Sequence, residues 1–203
     1  ENGIRPEAME HVYTGPSFTN EEIRKALDSF KVQYRREEDV CRFAAEKLAQ
    51  GCIVAWFQGA MEFGPRALGN RSILADARDP AMKDRINATI KFREDFRPFA
   101  PAVLEEKVAD YFDGGVTSPF MTLTFDVREE KRSQIASITH VDGTARIQTV
   151  SAKTNPRFHR LISEFGQITG VPMIINTSFN VKGQPIVCTP RDAVSTFYMT
   201  GMD

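Results

Sequence analysis

The chain has 203 residues, 41% apolar and 26% charged, the ordinary balance of a globular protein long enough to bury a sizeable core. Its 26 Lys and Arg against 27 Asp and Glu give a formal net charge of −1, which argues against non-specific nucleic-acid binding as the main task and leaves room for a local cationic pocket. The three cysteines, Cys41, Cys52 and Cys188, are far apart and form no CxxC, so neither a disulfide framework nor a zinc site is expected. No apolar run approaches the length that spans a bilayer and no signal peptide is visible, so a cytoplasmic location is expected.

Residues 1–20 show little periodicity and read as a linker or extended arm. A helix is predicted over "EEIRKALDSF" with Asn20 as its cap, and a stronger one over "EEDVCRFAAEKLAQG", where Val40, Phe43, Ala44 and Leu48 keep helical spacing and Gly51 follows. "CIVAWFQ" is a continuous apolar run and reads as a buried strand, followed by the Gly-rich loop "GAMEFGPRALGNRS" and a short strand "SILADA". "DPAMKDRINATIKF" opens on an Asp-Pro helix signal and places Met82, Ile86 and Ile90 on one face. Strands are predicted at "APAVLEE", "FMTLTFDV" and "ARIQTV", with a short helix at "EKVADYF" and a hairpin signal at Asp142-Gly143. "NPRFHRLISEFGQITG" is a helix capped by Asn155, "VPMIINTSFN" a buried strand, and "TPRDAVSTFYMTG" a last helix. Interleaved helices and short strands predict an α/β or α+β fold with a mixed sheet. The chain starts at Glu1 rather than Met and stops at Asp203 within what reads as an element, so a piece of a longer protein is expected.

Four stretches have the chemistry of a site. In the loop at 59–72, glycines permit close approach of a ligand, Arg66 and Arg71 offer planar forks for phosphate or carboxylate, and no GK[ST] of a Walker A loop follows; a plain surface loop explains it equally well. In "KFREDFRPFAP" an extended backbone puts Lys91 and Arg93 on one side and Phe92 towards the core, with Arg97 held out of helical geometry by Pro98; taken alone, the stretch fits a charged helix end slightly better. In "NTSFN", Asn176, Ser178 and Asn180 supply amides and a hydroxyl, as a binding wall or as an ordinary polar turn. In "THVDGTARIQTV", His140, Arg146 and Gln148 offer a pocket lining from a hairpin, although a lone histidine is more often a surface or core residue than a catalyst. The three histidines lack metal-ligand spacing, so no protein-held metal is expected. Donors and cations dominate while general bases and nucleophiles are missing, which suits chemistry run by positioning and charge stabilisation, above all transfer at phosphorus.

The segments "GAMEFGPRALGNRSILADARDP", "KFREDFRPFAPAVL" and "NTSFNVKGQPIVCTPRDAVSTF" closely resemble the C-terminal region of O-carbamoyltransferases of the NodU/CmcH family, from about Val12 to the end. The resemblance implies a YrdC-like domain over 21–203, a twisted mixed sheet flanked by helices around a concave cationic pocket, with 1–20 as the arm from an N-terminal transferase domain not included here. It implies a KxR pair, Lys91 and Arg93, and an SxN pair, Ser178 and Asn180, around a nucleotide. It further implies ATP with Mg²⁺ and carbamoyl phosphate as substrates, carbamoyl adenylate as product, and the N-terminal domain as partner and site of transfer to an acceptor hydroxyl. Arg66, Arg146 and Asn176 are then expected at the substrate, with Arg71, Arg97 and His140 as second choices. The competing readings are a YrdC-like nucleotide- or RNA-binding module without catalysis, and a structural appendage.

Overall fold

The computed structural model of the chain describes residues 9–94 and 97–203. Two helices come first, α1 (Asn20–Phe30) and α2 (Val40–Ala49), then strands β1 (Val54–Phe57) and β2 (Arg71–Asp76). A short helix α3 (Met82–Ile86) runs directly into a π-helical turn, Asn87–Lys91. Strand β3 (Ala100–Leu104), helix α4 (Val108–Tyr111), and strands β4 (Thr124–Asp126), β5 (Thr144–Arg146) and β6 (Gln148–Val150) follow, then helix α5 (Pro156–Thr169), strand β7 (Met173–Ser178) and helix α6 (Pro190–Tyr198).

The main sheet has the order β1-β2-β7-β3-β6, antiparallel except for the parallel β3–β6 pair. Strands β4 and β5 form a separate antiparallel ribbon. The mixed α/β fold that the resemblance implies is the one observed. Alternation along the central strands divides the core. Leu74, Ala102, Leu104 and Ile174 pack under α2 and α5 with Leu48, Phe158, Leu161 and Phe165. Ile73, Ala75, Val103, Met173 and Ile175 face the opposite side, where Met82, Ile86 and Ile90 cover them as their spacing predicts.

Several local expectations shift. The cap of α1 is Thr19, one residue before Asn20, because Thr19 and Glu22 close a capping box: Thr19 Oγ1 accepts from the Glu22 amide at 3.3 Å and Glu22 Oε2 accepts from the Thr19 amide at 2.7 Å. β1 is an edge strand and only half-buried, apart from Trp56. "ARIQTV" is two strands in two sheets, parted at the buried Ile147. The Asp142-Gly143 turn exists, closed by the Gly143 amide to the His140 carbonyl at 2.9 Å, but β5 then pairs with β4 across a 3₁₀ stretch, Glu129–Ile135, that the sequence reading does not foresee.

The arm is anchored on the Gly-rich loop. The Gly15 amide donates to the Met61 carbonyl and the Met61 amide to the Pro16 carbonyl, each at 2.9 Å, and the Phe63 amide donates to the Val12 carbonyl at 2.7 Å. Residues 1–8 of the expected 1–20 arm lie outside the described residues. Gly69 fixes how this loop meets α5. Its φ is +105°, and a Cβ there would stand 2.3 Å from Phe158 Cδ1. Gly69→Ala should therefore cost about 3 kcal/mol, from overpacking and backbone strain together. Urea denaturation checks this, and a variant within about 0.5 kcal/mol of the parent would show that the loop can move away from Phe158.

Candidate functional site

The site is assembled where β7 ends. Asn176, Thr177 and Ser178 form its floor, Arg146 comes from β5, Arg66 from the Gly-rich loop, and Arg93 from the chain just after the π turn. Together they line a hollow of about 100 Å³.

The loop that carries Arg66 is organised by a buried carboxylate. Glu62 Oε1 accepts from the backbone amides of Leu68 at 2.6 Å, Asn70 at 2.8 Å and Arg71 at 3.3 Å. The sequence reading passes over Glu62, although it is the single acid among the arginines of "GAMEFGPRALGNRS" and a signal on that ground.

The KxR and SxN stretches meet by a different route from the one expected. The chain is not extended at Lys91, which is the last residue of the π turn. There the Phe92 amide donates to the Asn87 carbonyl, and Phe92 itself is left-handed with φ 46°. Phe92 is therefore exposed rather than in the core, while Phe99 is buried. Lys91 is 6% exposed, and its Nζ donates to the Ser178 carbonyl at 2.6 Å and to the Asn180 carbonyl and Oδ1 at 3.0 and 2.9 Å. Ser178 Oγ in turn donates to Asn180 Oδ1 at 2.7 Å. Lys91 and Asn180 thus stand behind Ser178 rather than among the lining residues. Burial, with Arg93 adding to it, pulls the Lys91 pKa down to about 7.

Arg93 is aimed by two contacts: its Nε donates to Asn87 Oδ1 at 2.8 Å, and its guanidinium lies 4.6 Å over the Phe99 ring. Arg146 Nε is buried without a hydrogen-bond partner. Burial pulls the pKa of both arginines down, and neighbouring cations push the same way, Arg97 and Arg146 on Arg93 and Arg66 on Arg146. Among the described residues, Arg66, Arg93 and Arg146 form no ion pair, whereas Arg78, Arg85 and Arg97 do. Three cations around one hollow, without an ion pair among the described residues, favour an anion.

The second-choice residues lie elsewhere. Arg71 is fully buried and built into the frame: its guanidinium donates to the carbonyls of Pro16, Gln58, Gly59, Asn70 and Cys188, and it stacks 3.7 Å over Phe57. Arg97 is exposed and pairs with Glu94 at 3.2 Å; Asp95 and Phe96 lie outside the described residues. His140 sits on the turn before β5, its Nδ1 3.0 Å from Thr144 Oγ1, and burial lowers its pKa. Gln148 contributes as a buried amide bonded to Asn176 at 2.7 Å.

Among the described residues there is no cluster of three His, Cys, Asp or Glu able to hold a metal, and no helix long and apolar enough to cross a membrane. The cysteines are unpaired.

The chain is 47% identical to nodulation protein NolO of Bradyrhizobium diazoefficiens, over 97% of its own length and 37% of that protein. It is 47% identical to a 3'-hydroxymethylcephem-O-carbamoyltransferase of Streptomyces clavuligerus, over 72% of its own length and 28% of that protein. It therefore spans only about a third of the relatives it matches, corresponding to their C-terminal part. Among solved structures, full-length HypF in a phosphate- and nucleotide-bound form superposes with a TM-score of 0.52 at 19% identity, covering 83% of this chain and 21% of HypF, which is a likeness of fold. Residues 45–203 match the family described as Carbamoyltransferase C-terminus, and the chain belongs to that family.

Proposed function

We propose that this domain activates a carbamoyl group, binding ATP with Mg²⁺ and carbamoyl phosphate and forming carbamoyl adenylate. The observation that carries the reading is the convergence of Arg66, Arg93 and Arg146, none of them ion-paired among the described residues, on one hollow at the end of β7. About 100 Å³ suits a phosphate or carbamoyl group, whereas enclosing a drug-sized ligand takes roughly 300 Å³ or more, so the nucleoside would lie outside the hollow.

In this reading water cleaves carbamoyl phosphate to carbamate and inorganic phosphate. A carbamate oxygen then attacks the α-phosphorus of ATP, and pyrophosphate leaves. Charge develops on phosphoryl oxygens, and preorganised cations in a partly dry site stabilise it with little further rearrangement. Arg66 and Arg146 hold phosphate from opposite walls. Arg93 neutralises the α-phosphate or carbamoyl oxygens, and Ser178 fixes that end. Lys91 supplies its charge through Ser178 and Asn180. Mg²⁺ would arrive on the ATP oxygens. The rest of the protein, the proposed partner, would pass the carbamoyl group to an acceptor hydroxyl, as the name of the cephem-modifying relative describes for its own substrate.

The first test supplies the full-length protein with ATP, Mg²⁺ and carbamoyl phosphate and follows pyrophosphate. Release that depends on carbamoyl phosphate is expected, and Lys91→Ala or Ser178→Ala should each slow it on the order of 100-fold. ATP binding without release would instead mark a nucleotide-binding module, and unaffected rates in both variants would mean that the site is misplaced.

The second test uses pH. Free lysine titrates near 10.4, whereas buried Lys91 does so at about 7, so above pH 7 the ligand-free side chain is increasingly neutral. An anion held in the hollow, across Ser178 from Lys91, favours the ammonium and raises that pKa. ATP binding at pH 8 should therefore take up a proton, approaching one per site, and affinity should weaken as pH rises from about 7 towards 10. Calorimetry in buffers of different ionisation enthalpy measures the uptake, which Lys91→Met should abolish. In the same window the unfolded chain binds the proton that the folded, ligand-free one lacks, so stability without ligand should rise with pH. Binding at pH 8 without proton uptake would show that the anion does not act on Lys91.

A further inference from the structure

The hollow is rich in donors, yet one residue that lines it keeps an unmet acceptor. Asn176 is 1% exposed; its Nδ2 donates to Gln148 Oε1 at 2.7 Å and reaches the Ala67 carbonyl at 3.4 Å, while its Oδ1 is buried without a hydrogen bond. The orientation of this amide is forced by its neighbours. Gln148 Nε2 donates to the Leu68 carbonyl at 2.8 Å, and a backbone carbonyl only accepts. Gln148 must then present its oxygen to Asn176, and Asn176 must answer with its amino group. Leu68 is itself fixed, its amide on Glu62 Oε1 at 2.6 Å and its carbonyl also taking the Tyr13 hydroxyl at 2.9 Å. A relay that starts at the Gly-rich loop thus ends with Asn176 Oδ1 as an acceptor.

A wall built for phosphate alone gains nothing from that acceptor, since phosphate oxygens and a carbonyl oxygen repel. A buried acceptor left unmet is costly, because its desolvation is not compensated. The part of a ligand that removes this cost has to carry N–H. We propose that Asn176, with its polarity set by Gln148, accepts from the amino group of a carbamoyl substrate and so selects carbamoyl over acetyl and other acyl groups of the same shape. This rests on the reading that a carbamoyl phosphate is the substrate. The arginines take the phosphate end, and Asn176 takes the only feature that distinguishes a carbamoyl from an acetyl group. Gln148 does not touch the ligand and is a positioning residue.

The test compares two stable phosphonates that differ only in NH₂ against CH₃: phosphonoacetamide and 2-oxopropylphosphonate. Calorimetry on the full-length protein should give about tenfold or more tighter binding of the amide, the scale expected when a buried polar group finds or misses its partner. Asn176→Leu and Gln148→Met should each bring the ratio of affinities towards one, the second by letting Asn176 turn. Circular dichroism reports whether each variant is folded, and if Asn176→Leu is not, Gln148→Met carries the test. A ratio near one in the parent, or an unchanged ratio in the folded variants, overturns the proposal. A clear preference for the amide without carbamoyl-phosphate-dependent pyrophosphate release would leave amino-group recognition standing and remove the adenylation reading, so the two fail separately.

Discussion

The end of β7 is tied down by the buried amine of Lys91, and the placement of the site depends on that tie. Lys91 binds the carbonyls of Ser178 and Asn180 and the Asn180 side chain, joining the chain after α3 to the far end of a central strand. A buried cation is tolerated where carbonyl oxygens surround it, and removing those acceptors would leave a charge costly to keep. The local backbone is unusual to match. The helix ends in a π turn, and Phe92 adopts a left-handed conformation that costs a non-glycine residue about 1–2 kcal/mol. The same reversal points Phe92 to solvent and leaves Arg93 lining the hollow, aimed by Asn87 and Phe99.

Charge is divided between frame and hollow. Arg71 and Glu62 lie in the same Gly-rich loop as Arg66, yet both are spent on the backbone. Glu62 collects three amides and Arg71 five carbonyls, so the loop is held by buried charge-assisted hydrogen bonds rather than by regular structure. One of the Arg71 contacts reaches Pro16 in the arm, and Tyr13 of the arm bonds the Leu68 carbonyl. The arm therefore belongs to the structure of the loop and is more than a tether. Burial raises the Tyr13 pKa to about 12, so its hydroxyl stays a donor at neutral pH.

Most elements were legible because their periodicity follows directly from burial: Met82, Ile86 and Ile90 cover one face of the sheet, and Asn155 and Gly170 bound α5. The KxR and SxN stretches stood out through the family resemblance; spacing alone left them as a charged helix end and a polar turn, and the extended backbone that would put Lys91 and Arg93 on one side is absent. The route that joins them was not legible, because a π turn and a left-handed Phe92 leave no pattern in periodicity. Arg71 and Arg66 looked alike for a related reason. Both are arginines five residues apart in a glycine-rich loop, and only the closed fold shows that β2 buries one while the loop leaves the other at the hollow. The split of "ARIQTV" at Ile147 was likewise hidden, since alternation continues across a change of sheet.

Affinity and selectivity come from different chemistry within the same few ångströms. Cations that lack carboxylate partners repel one another, and a fold carries that cost only as a fraction of its total stability. An anion relieves it, which gives binding strength but little discrimination, because any phosphate relieves it equally. Discrimination needs a group whose preference has a sign, and a neutral amide provides one only if it cannot turn over. Gln148 and the Leu68 carbonyl deny Asn176 that freedom. The backbone order imposed by Glu62 is in this way passed, through two side-chain amides, to an oxygen with no partner of its own. A loop held by regular strand pairing could have set the Leu68 carbonyl as well. With Glu62 on the Leu68 amide and the Tyr13 hydroxyl on its carbonyl, the polarity of the hollow depends on the order of the Gly-rich loop, which links the least regular part of the fold to the Asn176 oxygen.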